Sequence, residues 1–297
     1  MKRRSLLLAL LASGANPLAH STARAADSPR IAHPGVQLYT VRTGMEKDFR
    51  GTLAAVARLG YQEVEFAGYF GQKPADIKAL LRDLNLTAPS AHVGDSVLGP
   101  EAARVIDEAL TIGHHYLVVP WTPQEQWRDL DAWKRRAEAF NRAGETCRNA
   151  GLQLCYHNHH FEFATVNGQQ PYELLLTRCD PALVQMELDL YWAAVAGQDP
   201  LALMRRYPGR FPMVHLKQAK AAALAAGQDV LSLNMDQAHH LMTEVGPGLI
   251  DFPRLLADPA SAGIRHFFVE HDAAASPMES LGISLRFMKG LTVKMSG

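Results

Sequence analysis

The sequence predicts a closed parallel (β/α)8 barrel, and three observations carry that reading. Eight short apolar, strand-like runs alternate with helix-like stretches from residue 31 onward, and such alternation implies a parallel sheet with helical crossovers. Four of the runs carry a polar residue at or near their carboxyl end, His157, Asp189, His215 and Glu270, which is where barrels of this kind keep their chemistry. No G-x-G-x-x-G or Walker pattern follows any run, so an open, doubly wound nucleotide-binding sheet lacks support.

The elements follow in order. The first strand is Gly35 to Tyr39, and Phe49, Leu53, Val56 and Leu59 then recur at helical spacing up to a stop at Gly60. A strand at Tyr61–Phe66 precedes a helix from about Pro74 to Leu84, proline being tolerated at a helix start. The third strand is near Leu86 to Val93, its helix runs from Pro100 to Ile112, and Tyr116–Pro120 is the fourth strand. Leu130, Trp133, Ala137, Phe140, Gly144 and Cys147 mark the longest amphipathic helix, closed by Gly151. Strands at Leu152–Asn158, Leu183–Asp189 and Phe211–Lys217 alternate with helices around Pro171–Thr177 and Pro200–Tyr207. Residues 218–245 break the rhythm on the active-site side and read either as a substrate loop or lid or as a passive insertion. A short helix near Phe252, a strand at Ile264–Glu270 and a helix over Met278–Lys289 complete the eight units.

Ahead of the barrel, Lys2, Arg3 and Arg4, the apolar stretch Leu6–Leu11 and Ala23-Arg24-Ala25 read as an export leader over residues 1–25. Arg3-Arg4 favours the twin-arginine over the general secretory route, and residues 26–297 would then be a single periplasmic domain. Cleavage would remove four basic residues and no acid, moving the formal net charge from +0 to −4. That balance argues against a nucleic-acid partner. The leader's apolar core is too short to span a bilayer, so no membrane insertion of the mature chain is expected. Three cysteines without C-x-x-C spacing exclude a disulfide scaffold and read as buried thiols.

Strand alternation puts Met213, His215 and Lys217 on one side, Phe268 with Glu270 on one side, and Glu187 with Asp189 likewise. Two imidazoles and two carboxylates converging on one point can hold a divalent metal. Periodicity alone leaves open whether the side chains meet. Glu65, at the end of the second strand, is a candidate substrate contact or ligand-orienting group, with a plain pairing role as the alternative. His92 ends the third strand and faces the same rim, and Lys217 points the way His215 does, so both are candidate substrate contacts. Trp121 and Trp192 read as packing, and His114, His115 and His266 as structural.

The segments Gly35–Arg42, Tyr61–Gly68, Tyr156-His157-Asn158-His159, Glu187–Trp192 and Phe268-Val269-Glu270 resemble the sugar phosphate isomerase/epimerase family, whose fold is a xylose isomerase-like TIM barrel. The resemblance covers nearly all of residues 31–290. It implies one Mn, Mg, Co or Zn ion held by residues of the last four strands, and proton transfer beside a carbonyl through an enediolate. Asp189, His215 and Glu270 match three of the family's ligands, while the usual first glutamate is His157 here. Two arrangements follow. Either His157 binds the metal and Glu162 joins Glu270 as a catalytic base, the arrangement expected here, or Glu162 binds the metal and His157 and His159 contact substrate. Export makes a free sugar or keto-glycoside a more suitable substrate than a sugar phosphate. The implied activity is isomerisation or epimerisation of a small carbohydrate. The alternatives are a keto-glycoside lyase or hydrolase using the same site, and a non-catalytic periplasmic sugar-binding barrel. The sequence sets no oligomeric state.

Overall fold

The computed structural model describes residues 31–222 and 227–293. The proposed leader lies outside the described residues. Among the described residues the strands are β1 (Gly35–Gln37), β2 (Glu63–Ala67), β3 (Thr87–His92), β4 (Tyr116–Val119), β5 (Gln153–His157), β6 (Val184–Asp189), β7 (Met213–Leu216), β8 (Gln218–Ala219), β9 (Met242–Thr243) and β10 (His266–Val269). The helices are α1 (Arg42–Lys47), α2 (Phe49–Leu59), α3 (Pro74–Asp83), α4 (Ala102–Ile112), α5 (Leu130–Asn149), α6 (Pro171–Arg178), α7 (Leu190–Val195), α8 (Pro200–Arg206), α9 (Met235–Leu241), α10 (Phe252–Leu255), α11 (Pro259–Ala262) and α12 (Pro277–Gly290). Eight strands close in the order β1-β10-β7-β6-β5-β4-β3-β2, and every neighbouring pair is parallel. The single-barrel expectation is met.

Local chemistry sets the helix ends. Asp129 caps α5, its carboxylate accepting from the N–H groups of Asp131 at 2.8 Å and Ala132 at 3.0 Å. Asp48 caps α2 in the same way through Gly51. Gly60 ends α2 at φ +105°, a left-handed conformation that glycine reaches at little cost.

Period-two alternation divides each strand between two cores. The outward residues Leu154, Tyr156, Leu188, Val214 and Leu216 pack under the helices. The inward ones form a floor of Tyr116, Val118, Cys155, Met213 and Phe268. Two residues farther along three of these strands stand His157, His215 and Glu270, so the polar layer lies directly above an apolar floor. On the outer side α5 approaches β6 closely, for a Cβ built on Gly144 would lie 2.5 Å from the Leu183 carbonyl oxygen. Gly144→Ala is therefore expected to destabilise the fold by about 1–3 kcal/mol, because the clash outweighs alanine's better helix propensity of about 1 kcal/mol. Urea denaturation measures it.

Among the described residues, 218–222 and 227–245 form an insertion on the mouth side. β8 and β9 pair antiparallel at its base, and Gln218 anchors it, donating to the Ile250 carbonyl at 3.0 Å and accepting from the Ile250 N–H at 2.9 Å. No helix among the described residues is long and apolar enough to cross a membrane.

Candidate metal centre

His157, Asp189, His215 and Glu270 come together above the barrel floor. Each offers one donor atom, all lying within 4.8 Å of one another, and all four side chains are buried. His157 Nε2 stands 3.3 Å from Asp189 Oδ2, and His215 Nδ1 stands 2.9 Å from Glu270 Oε2. Glu162 is not among them. It follows a turn after β5, and its two oxygens accept from Tyr156 Oη at 2.6 Å and the His159 N–H at 2.9 Å. Tyr156 is an outward residue of β5, so Glu162 is drawn to the helix side of the strand and away from the mouth. The expectation that Glu162 acts there as a base is corrected by that placement.

A second tier supports the quartet. Glu65 Oε2 accepts from His215 Nε2 at 2.7 Å and from Gln37 Nε2 at 2.8 Å. His92 Nε2 lies 2.9 Å from Glu187 Oε2 and 3.3 Å from Glu65 Oε2, and its ring stacks on that of His215 with centroids 5.5 Å apart. Glu65 and His92 thus belong to the site, and Gln37 and Glu187 join them. Glu65 thus holds the Nε2 side of the His215 ring, and Nδ1 faces the quartet.

The electrostatics follow from burial set against partners. Burial alone would raise Glu65, but His92 and His215 hold its carboxyl well below the usual range. Burial alone would depress His215, and the Glu187 and Glu270 carboxylates overcome it and push the ring well above its ordinary value. For His157 burial wins, reinforced by His215, and its pKa is lowered. Glu162 is pushed up to about 8 by burial, with Tyr156 opposing. Asp272 is pushed up to about 7 by burial and the Glu270 charge, against Lys217.

The donor set fits a divalent ion. His215 Nδ1 lies 2.9 Å from the Glu270 carboxylate and His157 Nε2 lies 3.3 Å from that of Asp189, so each acid is paired with one imidazole nitrogen. A divalent cation can replace the protons of these pairs, because the four donor atoms lie within 4.8 Å of one another. Two neutral imidazoles and two carboxylates suit Zn, Mn or a similar ion, with Glu65 in the outer role that fixes a ligand's tautomer. Glu65→Gln is expected to weaken metal affinity about 10–100-fold while the fold persists, which calorimetric titration of chelated protein with Mn²⁺ would show.

Above the quartet lies a cavity of about 570 Å³. His92, His157, His159, Lys217, Glu270 and Asp272 supply its polar wall, and Tyr39 and Trp121 line it as well. Met235 and His239 of the insertion also line it, so the insertion forms part of the mouth. The His159 ring meets Trp121 edge to face at 4.8 Å. Lys217 Nζ sits 2.7 Å from Glu270, 3.0 Å from Asp272 and 3.2 Å from Asp189. A larger cavity of about 670 Å³ adjoins the mouth and shares only Asp272 with it. It holds none of the quartet, and the chemistry belongs to the smaller one.

Comparison with known proteins places the fold. The family model described as a xylose isomerase-like TIM barrel matches residues 53–290. An inosose dehydratase of Geobacillus kaustophilus (strain HTA426) is 26% identical over 230 residues, 69% of this chain and 73% of that protein. A crystal structure of a sugar phosphate isomerase/epimerase from Parabacteroides distasonis ATCC 8503 superposes with a TM-score of 0.70 at 25% identity, covering 91% of this chain and 98% of that one. The IOLI protein, solved with a zinc atom, shares the fold at 12% identity and a TM-score of 0.67, over 89% of this chain and all of that one. The chain belongs to the xylose isomerase-like TIM barrel family.

Proposed function

We propose that this chain is a divalent-metal-dependent enzyme that removes a proton beside the carbonyl of a non-phosphorylated cyclic sugar, polyol ketone or keto-glycoside. The observation that carries the reading is the buried quartet of His157, Asp189, His215 and Glu270, with Glu65 against the far nitrogen of His215. A divalent ion held there supplies Lewis-acid stabilisation of the oxyanion that proton removal creates. The protein's own part is to orient the ligands, exclude water and move the proton. Among the described residues lining the mouth, Lys217 is the single lysine or arginine, and three carboxylates already surround its ammonium. That leaves no free cation for a phosphate group. The export leader expected over residues 1–25 would suit a free, periplasmic substrate.

Isomerisation, epimerisation and elimination all begin with this proton transfer. One observation favours elimination as the outcome. The carboxylates lining the mouth are Glu270 and Asp272, both from the end of β10 and the loop after it, whereas two-base epimerisation is best served by bases on opposite faces. The likeness to inosose dehydratases supports the same outcome. Metal-loaded protein in D₂O, offered inososes, ketoses and keto-glycosides, should exchange a substrate C–H for deuterium and release water or an alcohol. Ketose phosphates should react more slowly. Absence of exchange across the whole panel would sink the reading.

A further inference from the structure

With Glu162 behind β5, a proton-transfer group outside the metal quartet has to come from elsewhere in the mouth. We propose that Asp272 is the catalytic base and Lys217 its proton-donating partner, and that together they carry out a syn elimination from one face of the substrate. The inference rests on the proton-abstraction reading above and names the residues that perform it.

Several observations single out the pair. Asp272 stands two residues beyond Glu270 and lines the same cavity. Glu270 Oε2 is committed to His215 Nδ1 and Lys217 Nζ. Asp272 engages Lys217 at 3.0 Å through Oδ2 alone, and its buried Oδ1 has no hydrogen-bond partner. The surrounding loop is fixed, since the Asp272 carbonyl accepts from Arg42 Nη2 at 3.1 Å and the His271 N–H donates to Thr40 Oγ1 at 3.0 Å. Lys217 is held as firmly, with its ammonium 5.5 Å from the centre of the Trp192 ring. From the insertion, His239 Nε2 reaches within 3.8 Å of Asp272 Oδ2, so the mouth is roofed over this pair.

The step balances without an added reactant. Asp272 takes the proton from the carbon beside the carbonyl, and the C–H electron pair becomes a C=C bond as the carbonyl oxygen gains a pair. When the carbonyl re-forms, the C–O bond on the next carbon breaks. The departing oxygen takes a proton from Lys217 Nζ and leaves as water or an alcohol. The proton on Asp272 then crosses the 3.0 Å hydrogen bond to the Lys217 amine, restoring both groups. One C–H and one C–O bond are lost and one C=C is gained, with no change of redox state beyond the elimination itself.

The test uses the full-length, metal-loaded protein with the inosose and keto-glycoside panel in D₂O. Asp272→Asn should keep the wild-type metal content yet lower C–H exchange about 10²–10⁴-fold, and Asp272→Glu should recover part of it. Lys217→Met should slow both exchange and release of water or alcohol, release the more. A substrate deuterated on one face should lose the label syn to the leaving oxygen. Exchange by Asp272→Asn within about threefold of wild type would overturn the assignment, as would its loss of metal or an anti course. If wild-type protein itself exchanges nothing, the proton-abstraction reading fails first and this one falls with it.

Discussion

His215→Ala is expected to produce protein that retains no divalent ion and turns over substrate at least about 10³-fold more slowly. The size follows from the several kcal/mol that Lewis-acid stabilisation supplies to a developing oxyanion, at 1.36 kcal/mol per decade. The same change should damage the fold of metal-free protein. His215 contacts Glu65 at 2.7 Å, Glu270 at 2.9 Å and Glu187 at 3.2 Å, all of them buried. Without the ring these carboxylates lose their shared cation. Leaving a buried charge unpaired costs about 3–5 kcal/mol, a large share of a domain's stability. Elemental analysis and urea denaturation of chelated protein separate the two effects. A variant that keeps full metal content would show that the ring is not a ligand.

Glu162→Gln is expected to change how stability depends on pH, and to do so from outside the metal centre. The Glu162 carboxyl is fully buried and pushed up to about 8 by that burial. A neutral acid suits its surroundings. Its oxygens accept from Tyr156 Oη at 2.6 Å and from the His159 N–H at 2.9 Å, and neither of these partners carries a charge. Because the folded pKa lies above the ordinary carboxylate value, folding favours the protonated form. The contribution is fully present below about pH 4.5 and is lost as pH rises through about 8. Over that window it amounts to about 4 kcal/mol. Glutamine cannot ionise, so the stability of the variant relative to wild type should climb by about that amount between pH 5 and pH 9. Parallel curves would contradict the burial argument.

Much of this architecture was legible in the chain. Alternating strand and helix patterns gave the barrel, and the period of two in FPMVHLK and HFFVEHD put His215 and Glu270 above an apolar floor. The same period carries Glu187, two residues before Asp189, to the site, while Asp272 reaches it from the turn after β10. The Glu187 signal was present but could not be told from that of rim residues paired for structure alone. Gln37 was harder to foresee, because its role depends on the β1–β2 register that sets it opposite Glu65. Glu162 misled because strand period ends where the strand does. After His157 the chain enters a turn and a short 3-10 helix over Phe161–Phe163, and an outward tyrosine captures the carboxylate. A count of five residues from His157 says nothing about direction once the backbone has turned.

The central claim is that His157, and not Glu162, completes a one-metal centre with Asp189, His215 and Glu270. Metal content per chain in wild type, His157→Ala and Glu162→Gln tests it most directly. The account predicts one divalent ion in wild type and in Glu162→Gln, and none retained by His157→Ala after dialysis. Full metal content in His157→Ala together with its loss in Glu162→Gln would contradict it.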